Sequence, residues 1–109
     1  MNAALIANLR AQCGGPRDGA LLRFSLGQAL LGDGEPAAAI EAFRQAVTFD
    51  PHYSAAWKLL GKACQAAGDA AGAADAWTRG IAAAQVRGDK QAEKEMQVFL
   101  RRLDRPPPA

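Results

Sequence analysis

At 109 residues the chain has room for one domain. Alanine (26) and leucine (11) dominate, whereas Ile, Val and Thr together number 8 and aromatics 7. That excludes a sheet-rich fold, because strands favour β-branched and aromatic side chains while Ala and Leu favour helix. Thirteen basic and eleven acidic residues are spread along the chain, leaving a net charge of +2 and excluding the clustered basic excess of a nucleic-acid binder.

The first element is expected as a helix over 2–13, started by Asn2 and carrying Leu5, Ile6 and Leu9 on one side. Its apolar run is broken by Asn8 and Arg10 with no cationic stretch ahead, so it makes a poor signal peptide. Cys13-Gly-Gly-Pro16 ends it and leaves Cys13 as an exposed, oxidisable thiol. Asp18 starts a second helix over 18–32, and Gly32 to Pro36 punctuates it. Pro36 suits the first turn of a third helix over 36–49, where no amide hydrogen is required. Pro51 stops that helix by pushing Asp50 toward extended backbone. Ser54, Asp69 and Asp89 offer starts for helices over 54–67, 70–87 and 89–104, separated at Gly68 and Gly88. Residues 105–109, with Pro106, Pro107 and Pro108, read as a disordered terminus. No window approaches the ~18 apolar residues that span a membrane, and two isolated cysteines outside any CxxC suggest a reducing compartment. The expectation is a soluble, cytoplasmic, all-α domain over 1–104.

Self-comparison reveals a period of 34: Leu26-Gly27 falls on Leu60-Gly61, Ala39 on Ala73, and Ala42-Phe43 on Ala76-Trp77. Trp57, Leu60, Gly61 and Cys64 share one helical face, which places Cys64 in the core. A helix-interior glycine costs about 1 kcal/mol against alanine, so one at the same phase in two helices implies a close helix–helix approach. Small, large and small residues alternate as Ala73, Trp77 and Gly80, and as Ala39, Phe43 and Ala46. Such stripes interlock between antiparallel helices joined by a short turn.

These positions resemble the tetratricopeptide repeat, a helix–turn–helix unit with the pattern W-x2-L-G-x2-Y, then A-x3-F, a small residue and a closing proline. Repeat one would span 20–53, with Arg23 at the large aromatic position, and repeat two 54–87, with Cys64 at the tyrosine and Gln85 at the proline. The resemblance implies a right-handed α-superhelix. The segment 89–104, apolar along Ala92, Met96, Phe99, Leu100 and Leu103 and charged opposite, would act as a capping helix. The N-terminal helix would close the other end as the second half of a degenerate repeat.

No catalytic, metal or cofactor constellation stands out. His52 sits alone in an inter-repeat turn, and no phosphate-loop pattern occurs. The informative surface is the face of each repeat's first helix left free by intra-repeat packing: Leu21, Phe24, Gln28 and Leu31 in repeat one, and Lys58, Lys62 and Gln65 in repeat two. The resemblance implies that these line a concave groove for a peptide or partner helix, one with an apolar anchor and an acidic group. Two alternatives stay open: the lysines merely solubilise the face, and the N-terminal helix covers Phe24 and Leu31. The lysine and asparagine set with which some family members grip a C-terminal carboxylate is not matched, since Phe24, Gln28, Leu59, Asp89 and Lys94 stand at those places. The functional expectation is a non-enzymatic protein-interaction module without cofactor, nucleic acid or membrane partner. The alternative is a homodimer joined through apolar end faces.

Overall fold

Six helices follow the breakers in the computed structural model, which describes residues 2–103: α1 Ala3–Gln12, α2 Ala20–Gly32, α3 Pro36–Phe49, α4 Ser54–Ala66, α5 Ala70–Arg87 and α6 Lys90–Leu103. Each lies within two residues of its expected bounds. The expected disordered tail at 105–109 falls outside the described residues. Neighbouring helices pack in chain order, and α2, α4 and α6 also touch side by side. The result is an all-α helical repeat of 45 × 34 × 18 Å. None of the helices among the described residues is long and apolar enough to cross a membrane.

The turn inside each helical pair is built identically. Gly34 and Gly68, 34 positions apart, adopt φ of 77° and 82°, a left-handed conformation that costs a residue without Cβ little. The Glu35 and Asp69 amides then donate back to the Leu30 and Cys64 carbonyls at 2.9 and 2.8 Å, satisfying groups orphaned at the helix ends. Asp50 is extended (φ −138°, ψ 93°), as Pro51 requires.

Packing follows the small–large stripes. Phe43 and Trp77 are both fully buried, each against the glycine of its partner helix. A Cβ built on Gly27 would stand 2.6 Å from the Phe43 ring, and one on Gly61 would overlap the Trp77 indole. Gly80 repeats the device one layer on, beneath Met96 of α6, where an added Cβ would stand 2.7 Å from Trp57 Cβ. The Trp77 Nε1–H donates to the Lys58 carbonyl at 3.0 Å, so burying the indole leaves nothing polar unpaired. Cys64 is buried, as its phase in α4 predicts, and burial pushes its thiol pKa up.

Three of the expected helix starts work differently. Asn2 makes no capping hydrogen bond. Asp18 precedes the cap residue Gly19 and accepts from the Gly14 and Gly19 amides at 2.8 and 2.9 Å, closing the α1–α2 turn and not the helix. Ser54 is the first residue of α4 and buried, its hydroxyl donating to Asp89 Oδ2 at 2.8 Å. Asp69 and Asp89 cap as expected, accepting from the Gly72 and Ala92 amides at 2.8 and 3.1 Å. Cys13 is half-buried against α2, its thiol donating to the Leu9 carbonyl, and not the exposed group its place near a helix end suggested.

α6 occupies the place of a third first-helix, yet at an offset of 36 from α4: Ala92 and Met96 are buried as Ala56 and Leu60 are. The extra two residues arise because α5 has 18 residues against 14 in α3, while the loop after it is two shorter. At this offset Glu93 and Gln97 stand where Trp57 and Gly61 stand in α4. The Glu93 carboxylate accepts from Gln85 at 3.0 Å and Gln97 at 3.5 Å. Polar residues thus replace the pair that receives a second helix, as befits a cap.

Candidate partner-binding groove

The candidate groove is the face made by α2, α4 and α6. Spacings of three and four residues put Leu21, Phe24, Gln28 and Leu31 on one side of α2, and Lys58, Lys62 and Gln65 on one side of α4. Leu21 is 70 % exposed, Gln28 is exposed and Leu31 half-buried, so the α2 sector carries no charge and keeps apolar surface in water. Phe24 is half-buried among aromatic rings, 5.9 Å from Phe43 and 4.8 Å from Tyr53 between centroids. Its cover therefore comes from α3 and the α3–α4 turn. Burial also raises the Tyr53 pKa.

In the α4 sector both lysines look toward α6. Lys58 Nζ lies 3.4 Å from Glu95, and Lys62 Nζ sits 3.8 Å above the centre of the Phe99 ring. The first pair neutralises Lys58 locally. The second leaves Lys62 cationic, since an aromatic face attracts a cation without cancelling its charge. Phe99 itself is braced by Trp77, centroid to centroid 5.2 Å. Gln65 is exposed at the end of the row. Across the face there is thus an apolar, uncharged half on α2 and, between α4 and α6, the Lys62 cation backed by an aromatic ring. Glu95 and Phe99 were not foreseen as groove residues, because which α6 side chains meet the lysines depends on how α6 docks against α4.

Polar ties hold the first helices in place beside this face. Asp89 caps α6 with one carboxylate oxygen and accepts from the buried Ser54 hydroxyl with the other, which joins the starts of α4 and α6. The Ser54 hydrogen bond, then the Ala92 amide, keep Asp89 below the ordinary carboxylate range. Arg87 clasps both oxygens of Asp50 at 2.8 Å and lowers that carboxyl's pKa in the same way. His52 is exposed in the turn, its backbone amide donating to Asp50. Among the described residues no group of three His, Cys, Asp or Glu side chains converges as a metal site would require.

Comparison with known proteins agrees with this architecture. Tetratricopeptide repeat family models match residues 30–92 and 2–54. A TPR repeat-containing protein of Pseudomonas aeruginosa is 61% identical over 88 residues, covering 81% of this chain and 84% of that protein. The solution structure of a Bordetella parapertussis protein superposes with a TM-score of 0.77 at 50% identity, covering 91% of this chain and 86% of that one. The crystal structure of a tetratricopeptide repeat domain protein from Salinibacter ruber gives a TM-score of 0.73 at 24% identity, over 80% of this chain and 97% of that chain, a likeness of fold.

Proposed function

The chain belongs to the tetratricopeptide repeat family, a family of protein-interaction modules, and on that premise we propose that it acts without catalysis by holding a partner's peptide or helix in the concave groove of α2, α4 and α6. The observation that carries this reading is the division of the face: exposed Leu21 and half-buried Leu31 on α2, opposite the Lys62 cation above Phe99. An apolar side chain gains by covering the leucines, and a carboxylate gains at Lys62, so the matching segment is apolar at one end and acidic at the other. Gln28 and Gln65 each present both a donor and an acceptor, the set that an extended backbone needs.

Peptides selected by display against the wild-type protein, then re-measured against Lys62→Glu and Leu31→Ala, test this reading. Binding is expected to weaken with either substitution and, for the wild type, with added salt, since exposed charges are screened. Selected peptides that bind both variants as well as wild type would remove the groove from consideration. Lys58 is the poorer site for charge reversal, because a glutamate there would face Glu95 and loosen α6 as well.

A further inference from the structure

On the opposite face, made by the second helices, the repeat produces two grooves of the same construction. One runs between α1 and α3 over α2 and is lined by Arg10, Arg23, Leu26 and Glu41. The other runs between α3 and α5 over α4 and is lined by Arg44, Trp57, Leu60 and Asp75, each 34 positions after its counterpart. Charge type is kept at three of the four places. The exchange of Arg23 for Trp57 changes what each groove can do.

Arg23 reaches across its own groove, which holds about 380 Å³. Its guanidinium makes two hydrogen bonds of 2.8 Å to Asp18 and also donates to Gln45 on α3, so the side chain spans the cleft and satisfies its charge internally. The hydrogen bonds it donates to Asp18 raise the Arg23 pKa still further. Trp57 does none of this. Its one N–H donates to the Pro51 carbonyl at 2.8 Å, leaving the indole with only apolar surface to offer. Arg79, which replaces Gln45 in the second groove, turns back along its helix to Asp75 at 3.2 Å. Arg87 joins the C-terminal ends of the two walls through Asp50, but neither Trp57 nor Arg79 crosses between them. The hollow holds about 470 Å³, and a second of about 250 Å³ continues past Trp57 to Val86, which is 66% exposed. Arg44 is exposed on the α3 wall with no acidic partner within 4.0 Å among the described residues.

We propose that the α3–α5 groove is a second protein-binding surface, which takes a linear acidic peptide with an aliphatic side chain against Trp57 and Val86 and carboxylates at Arg44 and Arg79. Charge selects this occupant: two exposed arginines flank an apolar floor, against the single carboxylate of Asp75. The Ala83 and Val86 end fits an aliphatic side chain better than a base, so a nucleic acid is the poorer match. The first groove, where Arg23 stands in the place of the indole, provides the built-in comparison. This surface stands apart from the concave groove, and neither reading depends on the other.

Titration of the ¹⁵N-labelled full chain with a blocked Glu-Glu-Leu-Leu-Glu-Glu peptide tests the proposal, followed through the Trp57 indole N–H and the backbone amides. Saturable shifts are expected at the Trp57 indole, Thr48, Arg79 and Val86, and not around Arg23. Affinity should fall about tenfold or more for Arg44→Glu with Arg79→Glu, and for the Gln-Gln-Leu-Leu-Gln-Gln analogue, as lost attraction turns into repulsion or neutrality. Lys62→Glu should leave these shifts unchanged. No saturable Trp57 shift at millimolar peptide overturns the proposal, as do shifts confined to Gln28, Lys62 and Gln65, which would instead support the concave groove. A thymidine oligonucleotide that moves the Trp57 indole more than the peptide does would overturn the assignment to a protein ligand.

Discussion

The glycines of the first helices show how a single missing carbon sets the packing distance. Alanine at position 61 gains about 1 kcal/mol of helix propensity but drives its methyl into the Trp77 indole, which is fully buried and has no room to move. Overpacking of that kind costs about 1–3 kcal/mol, so Gly61→Ala is expected to lower stability in urea despite the better helix former. Gly32→Ala is the control. A Cβ there meets nothing within 4 Å, and its stability should rise by about 0.5 kcal/mol or remain unchanged. Removing the indole is the larger lesion: Trp77→Ala should cost about 3–5 kcal/mol, comparable with the whole stability of a small domain. An unchanged melting temperature for that variant would mean Trp77 is not the core of the second helical pair.

At the level of elements, α6 separates a cap from a removable end. Met96 closes over Gly80, and Phe99 over Trp77, while Glu93 and Gln97 face outward where a further helix would otherwise pack. Deleting residues 88–109 bares Trp77 and the apolar side of α5 at once. The truncated chain is expected to aggregate, or to lose more helicity by circular dichroism than the deleted residues account for. A soluble, monomeric truncate that retains the full remaining helix would contradict this. The existence and order of the helices were readable from the breakers. The register of α6 was not, because a longer α5 and a shorter loop shift it off the 34-residue period.

Across the whole molecule, the polar contacts between distant residues repeatedly join one helical layer to the next: Asp50 with Arg87, Ser54 with Asp89 and Lys58 with Glu95. They fix orientation more than they add stability, since half-exposed pairs are screened by water. Asp50 and Asp89 nevertheless have folded-state pKa values below the ordinary 3.8. Each favours the folded state above that ordinary value, and its contribution is lost as pH falls through the depressed one. The melting temperature should therefore drop as pH is lowered below about 4. Asp50→Asn with Asp89→Asn should start lower at neutral pH and show a shallower acid slope. Parallel slopes for variant and wild type would place the acid sensitivity elsewhere.

Periodicity and punctuation by themselves determined the six helices, the alternation of small and large core residues, and the family. Those properties are local or recur at a fixed spacing: proline and glycine act on their own backbone, and a helical stripe is visible within a few turns. They also placed Leu21, Phe24, Gln28 and Leu31 on one side of α2, and Lys58, Lys62 and Gln65 on one side of α4. Tertiary structure decided what those side chains meet. That Lys58 is matched by Glu95 while Lys62 rests on Phe99 depends on how α6 docks against α4. That Arg23 reaches across one groove while Trp57 does not cross its counterpart depends on Asp18 and Gln45 reaching the same guanidinium. A charge's partner is a matter of distance in space. Residues far apart in the chain come within hydrogen-bonding range only once the core has set the separation of the helices.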